Sequence, residues 1–205
     1  MSRFEPSPEP PVVQTADSRR TYSLPLRASR VRHLVAAALV AAFMAATGWI
    51  AVPVGPVPVT LQVFGVVLAA LLLSWEWAAA ALAIYLLMGA AGVPVFALGT
   101  AGVGVLLGPT GGYVIGFALA APLGAWLRRS LERRGIEQVV ADVCAASAVI
   151  ATIYLVGWLQ LAAVANMGLL KAFVVGVVPF VAPDVVKAAV AIAIASAVRA
   201  SGVRL

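Results

Sequence analysis

Two ionisable residues, Asp184 and Lys187, stand three positions apart inside the apolar stretch Pro179-Phe-Val-Ala-Pro-Asp-Val-Val-Lys187. A helix starting near Pro183 puts both side chains on one face, with the proline in the first turn, where its missing N–H costs nothing. An ionisable group at membrane depth costs roughly 2.5–3.5 kcal/mol, so such groups are as a rule paired, buried in protein and functional. Three uses are open to this pair. The ammonium can take a ligand carboxylate while the carboxylate accepts N–H donors. The two can neutralise each other as an i,i+3 pair and do nothing more. Or Asp184 can serve proton or ion coupling.

The remaining polar candidates sit beside Gly- and Pro-rich segments. Thr60 and Gln62 directly follow Val52-Pro-Val-Gly-Pro-Val-Pro58. They suit hydrogen bonds to a polar ligand head, or a helix cap for Thr60 and a helix–helix hydrogen bond for Gln62. Gly108-Pro-Thr-Gly-Gly-Tyr113 permits close backbone approach and ends on a ring that can stack. Tyr85 lies in an apolar run and needs a partner for its hydroxyl, from protein or ligand. Asn166 reads as a turn residue, and His33, beside Arg32, as an interfacial residue rather than a metal ligand or base. There is no Ser-His-Asp set, no phosphate-binding glycine loop and no metal-ligand cluster, and Cys144 is the single cysteine. The reading is a non-enzyme without cofactor or metal, and any active transport must draw energy from outside the chain.

What positions these residues is a membrane bundle. The chain of 205 residues is 63% hydrophobic and 11% charged, less than half the charged share of a soluble domain. At ~20 residues per crossing there is room for about six spans and no soluble domain. The expected spans are 31–50, 59–74, 77–89, 110–127, 138–164 and 183–199, with Trp75-Glu-Trp77 as a tight turn at headgroup level. The connection 92–108, almost wholly apolar, is expected to be partly re-entrant, and 166–182 to hold a short helix and a dip. Residues 1–27, polar and Pro-rich, form an expected disordered cytoplasmic tail rather than a cleaved signal, leaving 28–205 as the membrane domain.

Charge sets the orientation. With both termini inside, twelve of the fourteen Lys and Arg residues fall in the cytoplasm, and only Lys171 and Lys187 lie in the outer half. The net charge of +6 is thus a topology signal, not a nucleic-acid footprint. The three Gly/Pro-rich connections then gather on the outer side with Asp184. The first span carries small residues at four-residue spacing in two registers, Ala38, Ala42, Ala46 and Ala37, Ala41, Ala45, each suited to close helix approach.

Four motifs taken together resemble the signatures of the BioY family. They are Val54-Gly-Pro-Val-Pro-Val-Thr-Leu-Gln62, Tyr85-Leu-Leu-Met-Gly-Ala-Ala-Gly-Val-Pro-Val-Phe96, Leu107-Gly-Pro-Thr-Gly-Gly-Tyr-Val-Ile-Gly-Phe117 and Pro179 to Lys187. They run in order over roughly residues 30–200. The resemblance implies a multi-pass protein of the bacterial cytoplasmic membrane that captures biotin near the external face. It implies the substrate-binding component of an energy-coupling factor (ECF) transporter, partnered by a transmembrane coupling subunit and cytoplasmic ABC ATPases. It also implies biotin contacts at Asp184, Lys187, Gln62 and Tyr113, with Ala38, Ala42 and Ala46 as the docking stripe in a lipid setting. The 97–102 connection departs from the family in being less polar and less Gly-rich, with Thr100 its one polar side chain. Rival readings are an equivalent component for thiamine or riboflavin, a proton-coupled carrier using Asp184, and a structural subunit. A cationic thiamine suits Lys187 poorly.

Overall fold

A computed structural model gives the chain from residue 26 to residue 202. In chain order the elements are α1 (Leu26–Gly48), β1 (Ala51–Val54), β2 (Val57–Thr60), α2 (Gln62–Leu72), α3 (Trp75–Ala90), a 3-10 turn (Ala97–Gly99), α4 (Val103–Leu107), α5 (Gly111–Arg133), α6 (Gln138–Val164), α7 (Leu169–Gly176) and α8 (Val178–Ala200). Among the described residues, three helices are long and apolar enough to cross a membrane: Arg30–Gly48, α6 and α8, with mean hydropathies of 1.6, 2.2 and 1.8. Helices α2 and α3 are shorter and mainly apolar. The expected tail, 1–27, falls outside the described residues except for its last two, which already belong to α1.

Close approach of α5 and α6 makes the centre of the bundle. Gly112 and Gly116 of α5 face the backbone of α6; a Cβ at Gly116 would sit 3.1 Å from Ile153 Cα. In lipid, where water gives no hydrophobic drive between helices, such small-residue faces let backbones touch. Helix α2 lies in the middle of the packing, with Val66, Val67, Ala69, Ala70 and Leu71 all fully buried. Around it α1 turns Ala37, Ala41 and Met44 inward, while Ala38, Ala42 and Ala46 face outward.

The two ends of the bundle differ. At one end His33 of α1 stacks on Trp77 of α3, ring centroids 5.7 Å apart. Beside them Arg199 of α8 donates to the Leu71 carbonyl at the close of α2 (3.3 Å) and to Asp142 of α6. Arg128 of α5 donates to the other oxygen of Asp142 at 2.8 Å. The start of α1, end of α2, start of α3, end of α5, start of α6 and end of α8 therefore meet, and every described arginine is on these ends. The hairpin, the 3-10 turn, α4 and α7 lie at the other end, where α2, α5 and α8 begin.

Several sequence expectations shift. The Pro-rich turn is a β-hairpin, pairing Ala51 with Thr60 through Val54 with Val57, and Gly55 supplies the positive φ (69°) that a two-residue hairpin loop needs. Span two accordingly starts at Gln62, not Val59. Trp75-Glu-Trp77 is the first turn of α3 rather than a turn between helices, because Leu73 and Ser74 are extended and suffice to reverse the chain. Helix α5 runs through the basic segment to Arg133, since Arg, Leu and Glu are good helix formers and the break falls at Gly135. Span six starts at Val178, one residue after α7; Pro183 is inside α8, and Pro179 takes the first-turn place expected for it. Asn166 is in the left-handed region (φ 50°) just past α6, a conformation Asn tolerates.

Candidate binding site

A cavity of about 260 Å³ opens at the hairpin end of the bundle. Its roof is the hairpin from Pro53 to Thr60 with the Phe96–Thr100 segment. Its walls and floor come from the first turn of α2, the first two turns of α5, the first three of α8 and the middle of α6. The walls are mainly apolar and aromatic, with Phe96, Tyr113, Phe117, Tyr154 and Phe180 around the space. Leu98, half exposed at the opening, sits in the left-handed region (φ 59°), which is strained for a leucine. Asp184 lies six residues, about 9 Å, into α8.

Asp184 is 2% exposed and both of its oxygens are held. Lys187 Nζ donates to Oδ1 at 2.7 Å, one turn along α8. The Tyr154 hydroxyl of α6 donates to Oδ2 at 2.8 Å. The carboxylate retains free lone pairs on the same oxygens. The pair is thus neutral, partnered across two helices, and set in an apolar floor. A buried ion pair of this kind tolerates badly the loss of either partner.

Gln62 lines the same cavity and is 1% exposed. Its Nε2 donates to Tyr85 Oη at 2.5 Å and, more weakly, to the Met44 and Val95 carbonyls, both at 3.4 Å. Its amide oxygen takes no hydrogen bond among the described residues. Thr60 Oγ1 accepts the Gln62 backbone N–H at 3.3 Å and also faces the cavity. Thr60 thus accepts the first N–H of α2 from one residue ahead of the N-cap, Leu61, and Gln62 fills the helix–helix role, on side chains that still border the space. Tyr113 donates to the Gly176 carbonyl at 2.8 Å, pinning α5 to α7, so the cavity meets its ring rather than its hydroxyl. Tyr85 lies behind the wall, fully buried, donating to the Val95 carbonyl (3.3 Å) and packing edge-on against Phe96. Its partner is protein, and its effect on the cavity passes through Gln62. Thr100 lines the roof and donates to Ala97 O at 2.9 Å.

The structure thus gathers Asp184, Lys187, Gln62, Thr60 and Tyr113 around one space and sets Tyr85 one layer back. Tyr154 escaped the sequence reading, although a tyrosine in mid-span carries the same signal as Tyr85. Asp142 escaped it too: a carboxylate inside an apolar helix, fully buried and shared by Arg128 and Arg199, far from the cavity. Nothing in the sequence says which intramembrane acid meets a ligand and which ties helices together.

A helical bundle knit by ion pairs at one end and hollowed at the other into an apolar cavity with one charge pair defines a small-molecule-binding membrane protein. The chain belongs to the BioY family, whose model matches residues 18–203, and it is a multi-pass membrane protein. It is 44% identical over 163 residues to the probable biotin transporter BioY of Pyrococcus horikoshii, covering 77% of this chain and 91% of that one. It is 40% identical over 165 residues to the biotin transporter BioY of Thermotoga maritima, covering 80% and 94%. A crystal structure of the S-component for biotin from an ECF-type ABC transporter superposes with a TM-score of 0.79 at 26% identity, covering 84% of this chain and 93% of that chain.

Proposed function

We propose that this protein captures biotin as the substrate-binding component of an ECF transporter and does no chemistry on it. The observation that carries the reading is the Tyr154–Asp184–Lys187 group, a neutral donor–acceptor pair on the floor of an otherwise apolar cavity. Biotin's ureido ring offers two N–H donors and one carbonyl, and its fused sulfur ring is apolar. Asp184 accepts a ureido N–H, Lys187 donates to the ureido oxygen, and the open amide oxygen of Gln62 accepts the second N–H. Phe117, Tyr113 and Phe180 cover the ring. This orientation leaves the buried charge count unchanged. Seating the carboxylate there instead would put two carboxylates on one ammonium, which like-charge repulsion opposes.

The six-span arrangement with both termini inside is part of the same proposal. The gathering of Arg30, Arg32, Arg128, Arg129, Arg133, Arg134 and Arg199 at one end supports it, since basic residues mark the cytoplasmic side. The cavity then opens outward, in the cytoplasmic membrane of the cell. Ala38, Ala42 and Ala46, exposed on α1, are the proposed docking stripe for the transmembrane coupling subunit, with the ABC ATPases beyond it. Lipid covers the rest of the apolar surface. Biotin is cargo in this scheme, and no cofactor enters it.

Equilibrium binding of tritiated biotin to the purified protein, beside Lys187→Ala and with thiamine and riboflavin as competitors, tests the reading. Saturable binding that neither vitamin displaces, and that the variant loses, is expected. A folded protein that ignores biotin would overturn it. Uptake by this chain alone that collapses with the proton gradient would instead favour a carrier built on Asp184.

A further inference from the structure

We propose that the cavity binds the neutral carboxamide and ester of biotin about as well as biotin itself, because among the described residues no unpaired cation lines it: the one ammonium there, Lys187, already belongs to Asp184. The inference rests on the biotin reading above and extends it to the ligand class.

Among the described residues that line the cavity, Asp184 and Lys187 alone are charged. Their 2.7 Å contact makes the floor neutral, and Tyr154 binds the remaining oxygen of Asp184. The roof brings no charge, for neither 49–61 nor 91–110 contains an Asp, Glu, Lys, Arg or His. What the opening offers an acyl tail is the Thr60, Thr100 and Thr110 hydroxyls and backbone. Lys171, the other described cation at this end of the bundle, is exposed on α7 and does not border the cavity. A ligand whose ring occupies the floor extends its tail past the half-exposed Leu98 toward the opening. There a carboxylate keeps its water, and its charge is worth little in contact with solvent. Specificity then resides in the ring, where a hydrogen-bonding site left unpaired is penalised heavily.

The test is competition with tritiated biotin on the full-length protein in detergent, using biotin, biotin carboxamide and biotin methyl ester. The carboxamide and ester are expected to compete within about tenfold of biotin. Lys171→Ala is expected to leave all three unchanged, and Lys187→Met to weaken all three by the same factor. Biotin bound normally with the carboxamide rejected by more than about thirtyfold, the loss typical of an unmade buried charge pair, would overturn this inference alone. A preference for biotin that Lys187→Met erases would do the same by showing that the ammonium reads the carboxylate. Failure of biotin itself to bind would remove the biotin reading, and this inference with it.

Discussion

Asp184 is the residue on which most of the site's chemistry converges, and Tyr154 is the partner that fixes it. A hydrogen bond to a charged group is worth about 1.5–3 kcal/mol, more than a neutral one. Tyr154→Phe keeps the ring and removes the hydroxyl, so it is expected to weaken biotin retention at least about tenfold while the protein stays folded. Unchanged affinity in a tritiated-biotin titration would show that Lys187 alone orients the carboxylate. Asp184→Ala is the harsher change, because it strands Lys187 in an apolar floor. Breaking a buried pair by removing one partner costs about 3–5 kcal/mol, so this variant is expected to unfold at lower temperature as well as to lose the ligand. A thermal midpoint equal to that of the parent would contradict it.

At the scale of elements, the α5–α6 contact decides where the cavity wall stands. Tyr113 and Phe117 project from α5, Ile153 and Tyr154 from α6, and the glycines between them set the distance. Gly116→Leu forces a side chain onto the α6 backbone, where a Cβ alone already sits 3.1 Å from Ile153 Cα. Overpacking of this kind costs about 1–3 kcal/mol, and here it also separates Tyr154 from Asp184. The variant is expected to lose both stability and biotin affinity, read by thermal unfolding and by binding on the same preparation. Pro183 inside α8 has no N–H to give the Pro179 carbonyl, so one helical hydrogen bond is missing just before Asp184 without ending the helix.

For the whole molecule, the two ends carry separate duties. The Asp142–Arg128–Arg199 cluster joins α5, α6 and α8 at the end away from the cavity, and Arg199 also reaches α2. Asp142→Ala leaves two arginines facing each other across a buried gap and is expected to destabilise the protein by about 3–5 kcal/mol. Its effect on biotin affinity in the folded fraction is expected to be within about twofold, since sites this far apart with no shared partner behave additively. A large affinity change with intact stability would mean that the two ends communicate. Replacing Ala38 and Ala42 by Leu tests the docking stripe. Biotin binding by the isolated protein is expected to persist while co-purification with the coupling subunit and ATPases is lost. Assembly that survives the double substitution would move the docking surface elsewhere.

Composition and periodicity were enough for a membrane bundle, for the α6 boundaries Gln138–Val164, and for singling out Asp184 and Lys187, which pair and line the cavity, because the cost of polar groups in lipid makes them conspicuous along the chain. The glycine- and proline-rich breaks likewise marked where the cavity end would be, although not that 51–60 is a hairpin, since strand pairing depends on a partner strand and on what lies beneath it. Helix ends were misjudged at Pro183 and Arg128, where local signals for stopping were outweighed by packing along α8 and helix propensity along α5. The family signature and the basic residues' distribution are properties of the sequence by itself. Only the tertiary structure decided that Tyr85 stands behind Gln62, that Tyr154 completes Asp184, and that Asp142 belongs to a tie between helices. The reason is physical: a side chain's role follows from its neighbours within a few ångströms, and Asp184 and Tyr154 are thirty residues apart along the chain.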